Sequence, residues 1–470
     1  MESYGSTRKT KSQSSRKGSG KAKKKDQSTD QIQPANDDFL KARGHHYKVQ
    51  TIQLSVQQVI EAGNSYRGVA TTMKLLSQSF LTESPHFSRI KKWLGRIGLF
   101  ELQREKERRE DWIFIADLTL ELGQKKAIVI YGISEELWQE KVLKEQRGLR
   151  HTDGEILEIE VTESATGERI EKTLEQLSQK VGIPRQIIAD HGSNLKKGIE
   201  LYQEKYPEVI YTYDVTHGMA LLLKHELATD ERYQSFLQQC HQCRQQLQQT
   251  ELAFLLPPAQ RSQCRYFNVE KLIDWARKLL DAPWETLVEL VPTLEPVPLT
   301  ERLKDKLGWL IDYQEELDSW AQMVNLTRTL ETQLKLCGLN RKSLSIFEQQ
   351  HLATGINSTE LFQQQILDYL ATESSRIREG QTLLATSDVI ESVFGKYKHF
   401  SSRCPLKEMG QMLLTIPLST MTLTASVVKQ ALETVRGLDL QAWSAQVFGQ
   451  SMLSKRKTLF SVSPDDTKIA

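Results

Sequence analysis

The sequence predicts an α/β protein in which a mixed sheet is interrupted by a long helical region and preceded by a helical domain. Five short apolar segments bounded by turn residues lie between residues 112 and 213, and such segments are typical of strands. From about 218 to 385 the strand signal disappears, and Leu, Gln, Glu and Lys recur at helical spacing. With 470 residues, 39% of them hydrophobic, the chain has enough apolar material for two or three domains.

Residues 1–47 are predicted to be a disordered basic arm, because Lys and Arg alternate there with Ser, Gly and Gln without apolar periodicity. A solubilising tail and a nuclear import signal are the alternatives. The formal net charge is only +2, so nucleic-acid binding requires locally placed cations. The sequence shows no signal peptide and no apolar run that approaches roughly 18 residues, so the chain is expected to be intracellular. Its five cysteines are an odd number, which favours reduced thiols over a disulfide framework. If the protein is bacterial, we expect it in the cytoplasm in association with the nucleoid; if it is eukaryotic, we expect it in the nucleus.

Residues 48–110 are predicted to form a helix-turn-helix-like DNA-binding domain and a charged helical connector. Ser65 is a capping residue for one helix, and a break from Thr82 to Pro85 separates it from a second helix at 86–98. The outer face of this second helix carries Arg89, Lys92 and Arg96. A basic outer face of this kind suits a major-groove reader. The alternative is a packing or dimerisation module with a solvated charged face.

The strands and helices after residue 111 occur in a characteristic order. The predicted elements are strands 112–118, 126–132 and 155–162, helix 168–181, strand 186–190, helix 193–204 and strand 208–213. This is the element order of the RNase H-like fold, with the first three strands as an antiparallel meander. The predicted divisions are a first part of the core at 111–217, an all-helical insertion at 218–385, a last part of the core at 386–450 and a polar tail at 451–470.

Three acidic residues fall at chemically suggestive places in these elements. Asp117 ends the apolar run of the first predicted strand, Asp190 ends the fourth strand, and Glu391 lies in a segment with helical periodicity. Carboxylates from different elements are the ligands of Mg²⁺ ions that assist phosphoryl transfer, with Mn²⁺ able to substitute. A chain with 60 Asp and Glu residues contains many acidic triplets, so the prediction depends on the strand-strand-helix context.

These acids resemble the catalytic triad of DDE transposases that carry an all-helical insertion, as hAT-type and some bacterial cut-and-paste enzymes do. The run from Asp214 to His217 resembles the C/D-x-x-H motif of such families, which implies that His217 supports catalysis by contacting the scissile phosphate. The alternative for His217 is a core-edge histidine that caps the next helix. Glu391 and Lys398 resemble half of a Tyr-x2-Arg-x3-Glu-x6-Lys signature, although Leu384 and Ser387 occupy its Tyr and Arg positions.

The resemblance implies a transposase that binds double-stranded DNA, both terminal inverted repeats and target, as a homodimer or higher oligomer without membrane association. The further candidates for DNA phosphate contacts are Arg376, Arg378, Lys396 and Lys398. Two alternatives stay open: a non-catalytic DNA-binding regulator derived from a transposase, and a metal-dependent nuclease of RNase H-like fold.

Several other residues allow a functional and a structural interpretation. Cys240, Cys243 and Cys264 form an incomplete zinc-ligand set or half-buried thiols. His191 either approaches the metals or occupies a polar turn. The insertion tryptophans either stack on a flipped base or belong to the core; they are Trp275, Trp284, Trp309 and Trp320.

Overall fold

The computed structural model describes residues 41–80, 83–120, 123–259, 265–283, 290, 296–351, 359–403 and 406–461. The predicted basic arm therefore lies outside the described residues, except for 41–47. Across these described ranges, no helix combines the length and apolarity required to cross a bilayer.

Five strands form one mixed sheet in the order β3-β2-β1-β4-β5. Their bounds are β1 Trp112–Leu120, β2 Lys126–Ser134, β3 Glu155–Thr162, β4 Gln186–Ala189 and β5 Ile210–Tyr213. Strand β1 pairs antiparallel with β2, and β2 pairs antiparallel with β3. On the other side of β1, strands β4 and β5 continue the sheet in parallel. The prediction of a mixed α/β fold with five strands is confirmed.

Helices cover both faces of this sheet. Gly167–Val181 and Ser193–Lys205 pack on the face that includes Phe114. On the opposite face, which includes Ile115, lies the helix Asp388–Ser401. Because successive residues of a strand point to opposite faces, a residue at position 117 continues the face of Ile115.

The helical region between β5 and the helix Asp388–Ser401 has its own core, to which 35 of the region's described residues contribute buried side chains. Its helices are Val215–Thr229, Glu231–Leu247, Arg265–Asp281, Pro296–Leu307, Gln314–Cys337, Ser343–His351 and Glu360–Ser375. Among the described residues of this region, the β-contact recorded is an isolated antiparallel bridge between Leu339 and Leu383. The helical character of the region agrees with the sequence.

The tryptophans of this helical region belong to its packing. Trp320 is buried and donates its indole N–H to a carboxylate oxygen of Asp230 at 2.7 Å. Trp309 and Trp275 are half-buried and donate to backbone carbonyls within the region. These contacts favour the core interpretation over a base-stacking role, and Trp284 lies outside the described residues.

The cysteines of the same region are also part of the core. Cys240 and Cys243 are buried, free thiols. Burial raises the pKa of both, to about 11 for Cys243, which opposes the thiolate form that zinc requires. Cys264, the third residue of the zinc hypothesis, lies outside the described residues.

The N-terminal helices do not form a separate unit. One apolar core is shared by the helices Val49–Ile60, Tyr66–Ser79 and Phe87–Gln103 and by the C-terminal helices Ala425–Thr434 and Gly437–Phe448.

Two local predictions differ from the structure. The connector is not helical beyond Gln103, because its charged side chains pair with one another and with the sheet edge instead. The predicted polar tail begins with the helix Met452–Ser461.

Gly98 lies where the helix Phe87–Gln103 passes close to the C-terminal segment. A Cβ atom there would lie 2.5 Å from the carbonyl oxygen of Leu414. We expect Gly98→Ala to lower the free energy of unfolding by about 2 kcal/mol, although alanine is the better helix former. Gly395→Ala is the matched control, because nothing lies within 4 Å of a Cβ there, and it should stabilise by about 0.5 to 1 kcal/mol. Urea unfolding of both variants measures the difference; equal stabilities would contradict the close approach.

Candidate active site

Strand register brings Asp117 and Asp190 to the same level. In the parallel ladder of β1 and β4, Ile115 pairs with Ile188. Asp117 and Asp190 each follow two residues later, so both continue the sheet face that the helix Asp388–Ser401 covers. The two aspartates therefore lie side by side on adjacent chain segments.

Local hydrogen bonds fix the backbone around both aspartates. The carboxylate of Asp190 accepts the N–H of Gly192 at 3.0 Å, and the helix of Ser193 follows at once. The hydroxyl of Tyr211 donates to the backbone carbonyl of Asp190 at 2.9 Å. Asp117 accepts the N–H of Leu118 at 2.6 Å. These hydrogen bonds restrict the backbone that carries both carboxylates.

Glu391 reaches this edge of the sheet from the first turn of the helix Asp388–Ser401. That helix is anchored on the sheet by the buried side chains of Val389, Ile390 and Val393. Glu391 itself is half-buried, and its Oε1 lies 3.3 Å from Nδ1 of His217, without the alignment of a hydrogen bond. The structure therefore brings His217 directly beside Glu391.

The electrostatics of the site reflect crowded negative charge. Burial raises the pKa of Asp117 to about 7, and the carboxylates of Asp190 and Glu391 contribute in the same direction. Burial also raises the pKa of Glu391, with a further contribution from Asp214. Acids whose charged forms are mutually unfavourable are typical of functional sites and attract cations.

The predicted three-acid metal site stays a prediction. Within the described ranges, no group of three or more His, Cys, Asp and Glu side chains converges closely enough to hold a metal ion. Asp117 and Asp190 lie on the face of the sheet that the Glu391 helix covers, and the charges of Asp190 and Glu391 act on Asp117. Glu391 makes its nearest polar contact with His217.

Asp214 joins the two helices that flank the site. Its carboxylate is fully buried and accepts the N–H of His217 at 3.1 Å and the N–H of Ser387 at 2.8 Å. The hydroxyl of Ser387 also donates to it. Asp214 thus caps the helix Val215–Thr229, so the capping role considered for His217 belongs to Asp214. Because Ser387 immediately precedes the Glu391 helix, the buried carboxylate of Asp214 is hydrogen-bonded to residues at both ends of the helical region.

His191 makes an aromatic contact beside Asp190. Its ring stacks on Tyr213 with centroids 3.6 Å apart and an interplanar angle of 7°. Burial lowers the pKa of His191 to about 4, and the charges of Lys196 and Arg376 add to this effect. Arg376 therefore lies within electrostatic reach of this end of the sheet, where its guanidinium also pairs with Glu373 at 3.3 Å. Its neighbour Arg378 is exposed.

The two lysines of the Glu391 helix point in different directions. Lys398 is exposed and lies two helical turns after Glu391, on the same face, and its charge acts to lower the pKa of Glu391. Lys396 is half-buried and lines a separate cavity of about 320 Å³ together with His151. Of the two, Lys398 is the one placed to act at the acidic site.

The basic residues of the helix Phe87–Gln103 also divide into two groups. Arg89 and Lys92 are exposed, as expected for a nucleic-acid contact surface. Arg96 differs from the prediction, because its guanidinium donates to the carbonyls of Val435, at 2.5 Å, and Leu432. These carbonyls lie at the end of the helix Ala425–Thr434, so Arg96 is a helix-capping residue.

Comparisons with known proteins give distant similarities to solved structures alone. No family model matches the sequence, and no curated protein matches it. Among solved structures, the chain is similar to the Drosophila P element transposase in its strand transfer complex, with 13% sequence identity and a TM-score of 0.38. The matched region covers 83% of this chain and 94% of the transposase chain.

Proposed function

We propose that the protein is a DNA transposase in which Asp117, Asp190 and Glu391 are the catalytic acids. The observation that carries the proposal is the β1–β4 register, which aligns two aspartates on the sheet face that the Glu391 helix covers. The strand order around β1, antiparallel on one side and parallel on the other, supports an RNase H-like core.

The chemistry of the donor set fits a magnesium site. Asp117, Asp190 and Glu391 offer only carboxylate oxygens, which hard divalent cations prefer. Burial is the main cause of the raised pKa of Asp117, and without a cation the charges of Asp190 and Glu391 add to it by repulsion. Bound Mg²⁺, or Mn²⁺ in its place, would supply charge neutralisation for an attacking hydroxyl and a leaving oxygen at a phosphodiester. His217 orients Glu391 and contacts the scissile phosphate.

Double-stranded DNA is the substrate of the proposed reaction. Arg89 and Lys92 bind the terminal inverted repeats, while Arg376, Arg378 and Lys398 hold phosphates near the acids. Because two element ends are cut and joined together, the active form is a homodimer or higher oligomer.

The proposal is tested by a cleavage and joining assay on DNA with paired inverted repeats taken from sequences flanking the gene. Metal-dependent nicking with joined products, absent from Asp190→Asn, is the expected result. Nicking without joining would support a nuclease. Specific binding with no cleavage by the wild-type protein would support a regulator.

We expect the double replacement Arg89→Ala and Lys92→Ala to weaken binding of end DNA about tenfold or more. Each lost phosphate contact also lowers the slope of log affinity against log salt by about 0.9. Fluorescence anisotropy at several salt concentrations measures both quantities. Lys172→Ala, an exposed cation on another helix, is the control and should bind like the wild type.

Arg96→Ala tests the structural role that distinguishes Arg96 from its neighbours. Because two backbone carbonyls lose their donor, it should lower the free energy of unfolding by about 1 to 3 kcal/mol and leave the salt dependence of DNA binding unchanged. If Arg96→Ala changed the salt dependence of DNA binding without lowering the stability, Arg96 would instead be a DNA-contacting residue.

A further inference from the structure

An ion pair links the helical region to the helix that carries Glu391. Lys335, near the end of the helix Gln314–Cys337, pairs through Nζ with the carboxylate of Asp388. Asp388 begins the Glu391 helix, one turn before Glu391 itself. The other carboxylate oxygen of Asp388 accepts the hydroxyl of Thr216 at 3.0 Å. Thr216 directly precedes His217, so one carboxylate connects all three helices around the Glu391–His217 contact.

The charge of Asp388 bears on Glu391. Asp388 is a negative group one helical turn before the Glu391 carboxylate, close enough for the two charges to interact. Burial acts to raise the pKa of Asp388 itself, but its contacts with Lys335 and two threonine hydroxyls hold that pKa below its ordinary value. The ammonium of Lys335 therefore offsets a charge that would otherwise repel Glu391.

Backbone contacts hold Lys335 in place. Gly338, with φ of 70°, ends its helix, and Leu339 then exchanges both backbone hydrogen bonds with Leu383 at 2.8 Å. Leu383 lies five residues before Asp388. A Cβ at Gly148 would lie 2.6 Å from Cε of Lys335, so the lysine stem also packs closely against the loop before β3.

We propose that Lys335 is a positioning residue which, through Asp388, holds the first turn of the Glu391 helix and sets the Glu391 carboxylate against His217. This inference rests on the proposed function for its catalytic consequence. It makes the helical region part of the active site without a direct contact to substrate.

Full-length variants Lys335→Met, Asp388→Asn and their double replacement test the proposal in cleavage assays with saturating DNA and Mg²⁺. We expect Lys335→Met to lower the maximal rate about tenfold with an unchanged KM for DNA. The double variant should be no slower than the slower single variant, because both residues act through one contact. Lys335→Arg keeps the ion pair and should retain at least half of the rate. Lys342→Met, an exposed lysine beyond the same helix, is the control and should match the wild type.

A second measurement does not depend on activity or on metal. Urea unfolding compares the effect of Lys335→Met in the wild type and in Asp388→Asn. If Lys335 acts through Asp388, its loss should reduce the folding equilibrium constant at least threefold less when Asp388 is already neutral. Equal factors in both backgrounds would overturn the positioning role, as would an unchanged cleavage rate in Lys335→Met. A wild-type protein that does not cleave DNA would overturn the proposed function, while the unfolding comparison would still decide the role of Lys335.

Discussion

Asp190→Asn should lower the rate of DNA cleavage by a factor of about 10³ or more while leaving end binding intact. The replacement keeps the shape of the side chain and removes the negative charge that serves the cation. The Asp190 carboxylate accepts a hydrogen bond from the N–H of Gly192, which the amide oxygen of Asn can also accept. The loss should therefore appear in the chemical step, measured by single-turnover cleavage with Mg²⁺ and with Mn²⁺.

The same result is expected for Asp117→Asn and for Glu391→Gln. Because the three acids act as one unit, combining two replacements should cost little more than one. Glu208→Gln, an exposed acid before β5 at the opposite end of the sheet, is the matched control and should cleave normally. Normal cleavage by Asp190→Asn would remove the basis of the proposed function.

Asp117→Asn should also stabilise the metal-free protein at neutral pH, by about 4 kcal/mol at most. Burial raises the pKa of Asp117 from 3.8 to about 7 in the folded state, and each pKa unit corresponds to about 1.4 kcal/mol. Between these two pH values the folded protein binds more protons than the unfolded chain. The contribution of Asp117 to stability therefore falls as pH rises from about 4 to about 7, and a neutral Asn removes this loss.

Urea unfolding with a chelator at several pH values between 4 and 8 measures this effect. The stability gain of Asp117→Asn should be near zero at pH 4 and largest above pH 7. Added Mg²⁺ should stabilise the wild type more at pH 8 than at pH 5, because the cation favours the charged carboxylate.

Asp111→Asn is the control of opposite sign. Burial opposes its charged form, but hydrogen bonds from Arg109 hold the pKa of Asp111 below its ordinary value, so its loss should destabilise the protein at neutral pH. A pH-independent effect of Asp117→Asn would show that the Asp117 carboxylate is not held in an unfavourable environment.

Local patterns in the sequence were sufficient to predict the individual strands and helices. Each strand was visible as a short apolar run, and the predicted strand ends shift by only a few residues, because strand formation here follows from buried β-branched and aromatic side chains. The same local patterns predicted that Asp117 and Asp190 lie at the ends of apolar runs and that Glu391 lies on a helix. The helical character of the region from 218 to 385 was equally local.

Which of these elements come into contact depends on long-range pairing and packing. The β1–β4 register, which puts Asp117 beside Asp190, depends on pairing between segments about 70 residues apart. Arg96 is basic and helical like Arg89, yet its carbonyl partners follow it by 336 and 339 residues, so no periodicity could separate the two roles. The ion pair of Asp388 likewise joins it to a residue 53 positions away, Lys335, which no local pattern indicates. Periodicity reports which face of an element is apolar, whereas the partner of a polar side chain is fixed by long-range packing that one sequence does not encode in any local pattern.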